Sequence, residues 1–438
     1  MTIQSLLVSL LVVFIFVLPV PETIALRYGL LLALVVLALL IGLRDKAVWR
    51  DALPSFRPLM AWHGALLAWL VVQTLLVSQE PGWALKEIKG QWLPAQMCAV
   101  IGIAVALLPR LGGGFTRQRI LTFVVFGLVV QTAFSILVTV PDFLGAGNFP
   151  QGKTTWTAGK LEISFWNNLV LAFLAVELLS RWRYRTRLTE LRLVWVIGSV
   201  VLVLLSNILF GARNGIIGSL MLLFSLAFLM MWRERRALGW RQAAAFLGLV
   251  VLLVGGLAIS SYKTDQRWQR LGETAELAWQ IERHDTWLHP DEAGYPKTTA
   301  GNEVERSAYQ RVSWIRAGLD LIATYPLGVG YGRNAFGHAL RQTQDTRLGH
   351  AHSGVIDWTI GVGIPGLLLW LGFLGWMAWH GIRRYFQRND VLGLVTVFLT
   401  GGFFGRMLLD SINRDHMLIL FFMISAILLC LPEEPSQQ

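Results

Sequence analysis

Stretches of about 20 apolar residues, each long enough to cross a hydrocarbon core, recur along most of this chain. That repetition constrains the fold more than any other feature. Backbone groups inside a bilayer must be satisfied within their own segment, so such stretches are read as helices. About twelve segments are candidates: roughly 4–21, 26–43, 59–77, 94–109, 120–140, 166–180, 193–210, 214–232, 242–260, 358–382, 391–409 and 416–431, of which 94–109 and 166–180 are short. Hydrophobic residues make up 55% of the 438-residue chain and charged residues only 15%, against about 25% charged in ordinary soluble proteins. The expectation is an all-α polytopic membrane protein. Helices one to nine lie in 1–260, a long partly helical loop in 261–357, and helices ten to twelve in 358–438.

The net charge of +11 does not point to nucleic acid. Short connections at 44–58, 110–119, 181–192, 233–241 and 383–388 hold 19 of the 38 Lys and Arg residues. All five fall on one side if the N-terminus is cytoplasmic, as the positive-inside rule expects. Both termini are then cytoplasmic and 261–357 lies outside. Met1–Pro19 lacks a basic start and a small-residue cleavage site, so it reads as a retained first helix. Cys98 and Cys430 lie far apart in apolar segments, which fits neither a disulfide framework nor a metal site. No internal repeat or low-complexity tract is visible.

The outer loop carries 11 Lys/Arg and 11 Asp/Glu over 261–353. Its tryptophans, including Trp268, Trp279, Trp287 and Trp314, fit a folded segment lying on the membrane surface. Apolar residues at helical spacing predict a helix over 303–324, ended by Pro326. Gly328, Gly330 and Gly332 then form a turn. The stretch 284–302 reads as irregular.

Several charges stand outside the cytoplasm, against the general bias: Lys86, Lys89, Arg213 in the tight connection GARNG (211–215), Arg311, Arg316, Arg406 and Asp410. An ionisable group at membrane depth is costly and usually faces a cavity or a partner. Clustered cations suit a phosphate group, which arginine grips with a planar fork. Interfacial snorkelling, or ion pairs with Asp320 and Glu305, is the bland alternative for Lys86, Lys89, Arg316 and Arg406. His350-Ala-His352, with His338 upstream, invites a zinc reading, but HExxH is absent and no further ligand has a recognisable spacing. A neutral imidazole acting as general base is the favoured reading. Gly361-Val-Gly363-Ile-Pro-Gly366 matches a dinucleotide fingerprint only formally, since it follows no strand. Small residues there are expected to permit close helix packing.

Four motifs together resemble the bacterial O-antigen ligase and polymerase superfamily. They are Arg213 in its hairpin, Arg311 three residues before Trp314, the turn Pro326-Leu-Gly328-Val-Gly330, and His352-Ser353 followed after nine residues by Gly363-x-x-Gly366. The resemblance implies a GT-C-type glycosyltransferase that uses neither nucleotide nor metal, and no cofactor. A ligase of this kind moves a preassembled O-antigen glycan from undecaprenyl diphosphate to the lipid A core oligosaccharide, at the periplasmic face of the inner membrane. Its partners are these two lipid-anchored substrates and the surrounding membrane lipids. The resemblance casts His352 as catalytic and Arg213 and Arg311 as ligands of the donor diphosphate. Lys86, Lys89, Arg316, His338, Ser353, Arg406 and Asp410 are further substrate-binding candidates. An O-antigen polymerase and a protein O-oligosaccharyltransferase are the alternatives within the superfamily, and the His-Ser form looks more like the ligases. A transporter is the alternative of another class, disfavoured because the charges cluster at the outer mouth and no inverted repeat is seen.

Overall fold

The computed structural model describes residues 2–234, 241, 244, 245, 248, 252, 271–290 and 292–433, with the side chain of Arg213 left out. The span expected at 242–260 and residues 261–270 therefore lie essentially outside the described residues. The described chain is helical throughout, with a single isolated β-bridge between Lys297 and Glu303. Helices α1 to α9 are Ile3–Val17, Ile24–Arg44, Lys46–Leu76, Pro81–Glu87, Leu93–Leu107, Arg117–Ala146, Lys160–Leu179, Leu193–Leu209 and Arg213–Glu234. The loop region supplies α10 (Leu271–Trp279), α11 (Arg306–Thr324) and α12 (Ala335–Leu340). The chain then forms α13 (Gly354–Gln387), α14 (Leu392–Leu409) and α15 (Asp415–Cys430).

Eight helical stretches among the described residues are long and apolar enough to cross a membrane, and three shorter apolar helices accompany them. Local chemistry sets their ends. Thr116 caps α6 by accepting from the Arg119 N–H, and Gly147, at φ +72°, closes that helix in the left-handed conformation. Glu305 caps α11 by accepting from the Ala308 N–H, close to the boundary that the apolar spacing predicts.

The connection expected at 44–58 is instead helical, because α3 begins at Lys46 and runs through Pro54 and Pro58. Proline frees a carbonyl one turn back, and nearby hydroxyls can occupy carbonyls so exposed. The carbonyls freed here are those of Arg50 and Pro54, while the Ser55 hydroxyl donates to the Ala52 carbonyl at 2.6 Å.

Helix α7 is almost wholly buried, whereas α2 and α9 keep much of their surface outward, as lipid-facing helices do. Close packing rests on small residues. A Cβ on Gly102 of α5 would lie 2.5 Å from the Met423 carbonyl of α15. Gly381 of α13 and Gly393 of α14 face each other so closely that a Cβ on Gly393 would overlap the Gly381 carbonyl oxygen. At the end of the bundle where α13 meets α14, two of the basic-loop arginines are buried. Arg117 and Arg384 both pair with Asp390, and Arg384 also donates to the Leu428 and Leu431 carbonyls.

Candidate active site

His352 sits just before α13 with φ +52°, a left-handed conformation uncommon for a residue with a Cβ. Its surroundings hold it there. Gly354 donates its N–H to the Asp410 carbonyl at 3.1 Å, and a Cβ on Gly354 would come within 2.6 Å of Asn413 Oδ1. The His-Ser-Gly segment is thus pressed against the connection between α14 and α15. Asp357, in the first turn of α13, accepts from the Ala351 N–H at 2.9 Å and from the Ser411 hydroxyl. That one buried carboxylate ties the histidine loop to the same connection.

The His352 ring stacks on Trp314 of α11, with centroids 5.3 Å apart and planes within 13°. Its Nδ1 is buried, has no hydrogen-bond partner among the described residues, and lies 3.6 Å from Asp410 Oδ1. That separation is longer than a hydrogen bond, so the pair is an electrostatic contact. Nε2 makes no hydrogen bond to a described residue. Burial pushes the Asp410 carboxyl up, yet His352 and Arg406 together hold it below its ordinary value. His350 packs on His352 at 4.2 Å. Burial, with Arg414 and His352 adding to it, depresses His350 to about 3, so it is neutral near pH 7.

Arg311 lies one turn before Trp314 on α11, on the same helix face. It is half-buried and has no hydrogen bond or ion pair to a described residue. It is close enough to Arg406 for the two charges to interact. Arg213 is the first residue of α9, directly after a tight turn in which Gly211 has φ +58°. The base of that hairpin is anchored by Asn207, whose backbone carbonyl accepts from the Ala212 N–H and whose side-chain oxygen accepts from Asn167. Gly215 has no room for a Cβ, which would sit 2.5 Å from Asn207 Oδ1. The direction of the Arg213 side chain falls outside what is described.

The other candidates separate. Ser353 is the buried N-cap of α13, its carbonyl accepting from the Asp357 N–H. Arg316 pairs with Asp320 and, at 3.5 Å, with Glu282, and lies over the Trp279 ring. Its surface ion pairs match the bland reading. Lys86 and Lys89 are exposed, on α4 and the turn that follows it. His338 stacks on Trp83 at 4.2 Å, with Nε2 at 3.9 Å from Glu80. Burial lowers its pKa, Glu80 opposes and Arg341 adds to the lowering. It does not join the His350–His352 pair, and among the described residues no three His, Cys, Asp or Glu side chains gather as a metal site.

Gly366 gives the close helix packing expected, since a Cβ there would lie 2.7 Å from Trp69 Nε1 of α3, but Gly361 and Gly363 meet the glycine loop instead. Val329 and Gly330 donate to the Ile360 and Gly361 carbonyls at 2.9 and 3.0 Å, and Ile364 donates to Pro326 at 2.8 Å. Gly363, at φ +75°, breaks α13, and a Cβ there would lie 2.4 Å from the Leu327 carbonyl carbon. Loop backbone, rather than a second helix, occupies that space. Asp357 and Ser411 escaped the sequence reading. An acid in the first turn of an apolar helix was the available signal for Asp357, and Ser411 offered none.

No curated protein matches the chain at a significant level. Residues 198–371, however, match the family described as O-antigen ligase. The matched stretch holds the Arg213 hairpin, the Arg311–Trp314 helix, the glycine turn and the His352 motif. That match supports membership of the O-antigen ligase and polymerase superfamily.

Proposed function

We propose that this protein is an O-antigen ligase, transferring a preassembled glycan from undecaprenyl diphosphate to the lipid A core at the periplasmic face of the inner membrane. One observation carries the reading. His352 is held between the Trp314 face and the Asp410 carboxylate, with Nε2 unpaired among the described residues, and Arg311, which has no ion pair to a described residue, is on the same helix as its stacking partner.

The chemistry follows from that placement. A proton on Nδ1 faces Asp410, which leaves the Nε2 lone pair to accept the proton of an acceptor sugar hydroxyl. The Asp410 carboxylate favours this tautomer and stabilises the imidazolium as it forms, the role a buried acid plays behind a catalytic histidine. The oxygen then attacks the anomeric carbon of the donor. The bond to the lipid diphosphate breaks, and its electrons pass to the leaving phosphate oxygen. Arg311 and Arg213 neutralise that developing charge. Neither nucleotide nor metal enters the scheme.

The test is transfer by purified protein from undecaprenyl-diphosphate-linked glycan. Lipid A core should serve as acceptor, with product read as a ladder on a gel. A second lipid-linked glycan serving in its place would instead make the protein a polymerase. A protein acceptor would make it an O-oligosaccharyltransferase.

A further inference from the structure

We propose that Arg406 is a further substrate ligand, binding an anionic phosphate oxygen beside His352; this rests on the glycosyl-transfer reading above. Arg406 is in the last turn of α14, outside the stretch that matches the family. It is 5% exposed. Nη2 donates to the Leu161 carbonyl of α7 at 2.6 Å, which fixes the plane of the guanidinium. Nε and Nη1 are buried and have no acceptor among the described residues. No carboxylate there forms an ion pair with it, and its charged neighbours are Asp410 and the like-charged Arg311.

A buried cation with idle donors beside a second cation is costly as it stands. Arg384 shows how the same chain completes a buried guanidinium: Nε goes to Asp390 and both Nη atoms go to backbone carbonyls. Arg406 lacks that completion, and it lacks it next to the histidine whose Asp410 it helps to keep ionised. An anion with several acceptor oxygens satisfies Nε and Nη1 and relieves the repulsion with Arg311. A phosphate does this, with charge-assisted hydrogen bonds. Two sources share that chemistry: the diphosphate of the lipid-linked donor, and a phosphate on the lipid A core.

Binding separates the proposal from transfer. Full-length protein in neutral-lipid nanodiscs is titrated with undecaprenyl diphosphate, with undecaprenol and with lipid A core. Arg406→Gln should weaken binding of one phosphorylated ligand by at least tenfold and leave undecaprenol unchanged. The ligand that loses affinity identifies the source. Arg306→Gln, on the loop surface, should bind as wild type. Arg406→Lys keeps charge but loses the Nε donor, and should fall between; it carries the test if the glutamine variant does not fold. Wild-type affinity for both phosphorylated ligands in Arg406→Gln, or in Arg406→Lys if only that variant folds, overturns the assignment. Failure of wild-type protein to bind either ligand overturns the glycosyl-transfer reading instead.

Discussion

A left-handed φ of +52° places the His352 ring between an indole and a carboxylate. Its removal should cost transfer at least about 100-fold, the usual range for a general base. His352→Ala should still bind undecaprenyl diphosphate, because the arginines hold the phosphates. His338→Ala should be milder, since that ring is committed to Trp83. Retained transfer in His352→Ala, with loss in His338→Ala, would show the base to be elsewhere. Asp410→Asn keeps the shape beside Nδ1 but removes the charge, so kcat should fall roughly tenfold or more while KM changes little. Arg311→Ala should lose transfer by an amount typical of one transition-state contact, roughly 2.7–4 kcal/mol, and Arg311→Lys should recover part of it. EDTA should leave transfer intact. Stoichiometric zinc lost together with activity would reverse that expectation.

At the scale of elements, the glycine loop and the broken helix α13 form one unit. Gly363→Ala places a Cβ into Leu327 at a positive φ, a strain of about 1–3 kcal/mol. Unfolding temperature in detergent should drop, and transfer should drop further, because the loop and α13 lie on either side of His352 in the chain. An unchanged melting curve would mean that the loop can shift without cost. The α13–α14 connection gives a second prediction. Asp390→Ala leaves two buried guanidinium groups without their carboxylate, a loss of about 3–5 kcal/mol. Burial raises the Asp390 carboxyl, but Arg384 and Arg117 outweigh it and hold it below its ordinary value. A carboxyl depressed in the folded state adds stability above its unfolded pKa of about 3.9 and loses it as pH falls through the folded value. Melting temperature should therefore hold from neutral pH down to about 4 and fall below it, and Asp390→Ala should show less of that acid step.

For the whole molecule, the arrangement of charge along the chain predicts orientation. Reporters fused after residues 115, 187 and 237 should signal cytoplasm, and one near 300 should signal periplasm. A cytoplasmic signal at 300 would place His352 on the wrong side for a periplasmic reaction. Arg117 and Arg384 are buried in the Asp390 network, so their removal should destabilise the bundle as well as weaken the orientation signal.

Apolar length and basic loops were enough to show a helical membrane chain, because backbone groups in lipid leave no other choice for such segments. The spacing of His352, Gly363, Arg311 and Trp314 was enough to point to the family that residues 198–371 match, because those residues lie in short local motifs. Partnership could not be read the same way. Asp357 reaches Ser411, Asp410 faces His352, and Arg406 rests on Leu161, contacts that join elements distant in sequence. A charged residue near a helix end reads the same whether it snorkels, pairs or waits for a ligand. Arg316 and Arg406 looked alike along the chain. Only the packed structure separates them, because unsatisfied donors are a property of what surrounds a side chain.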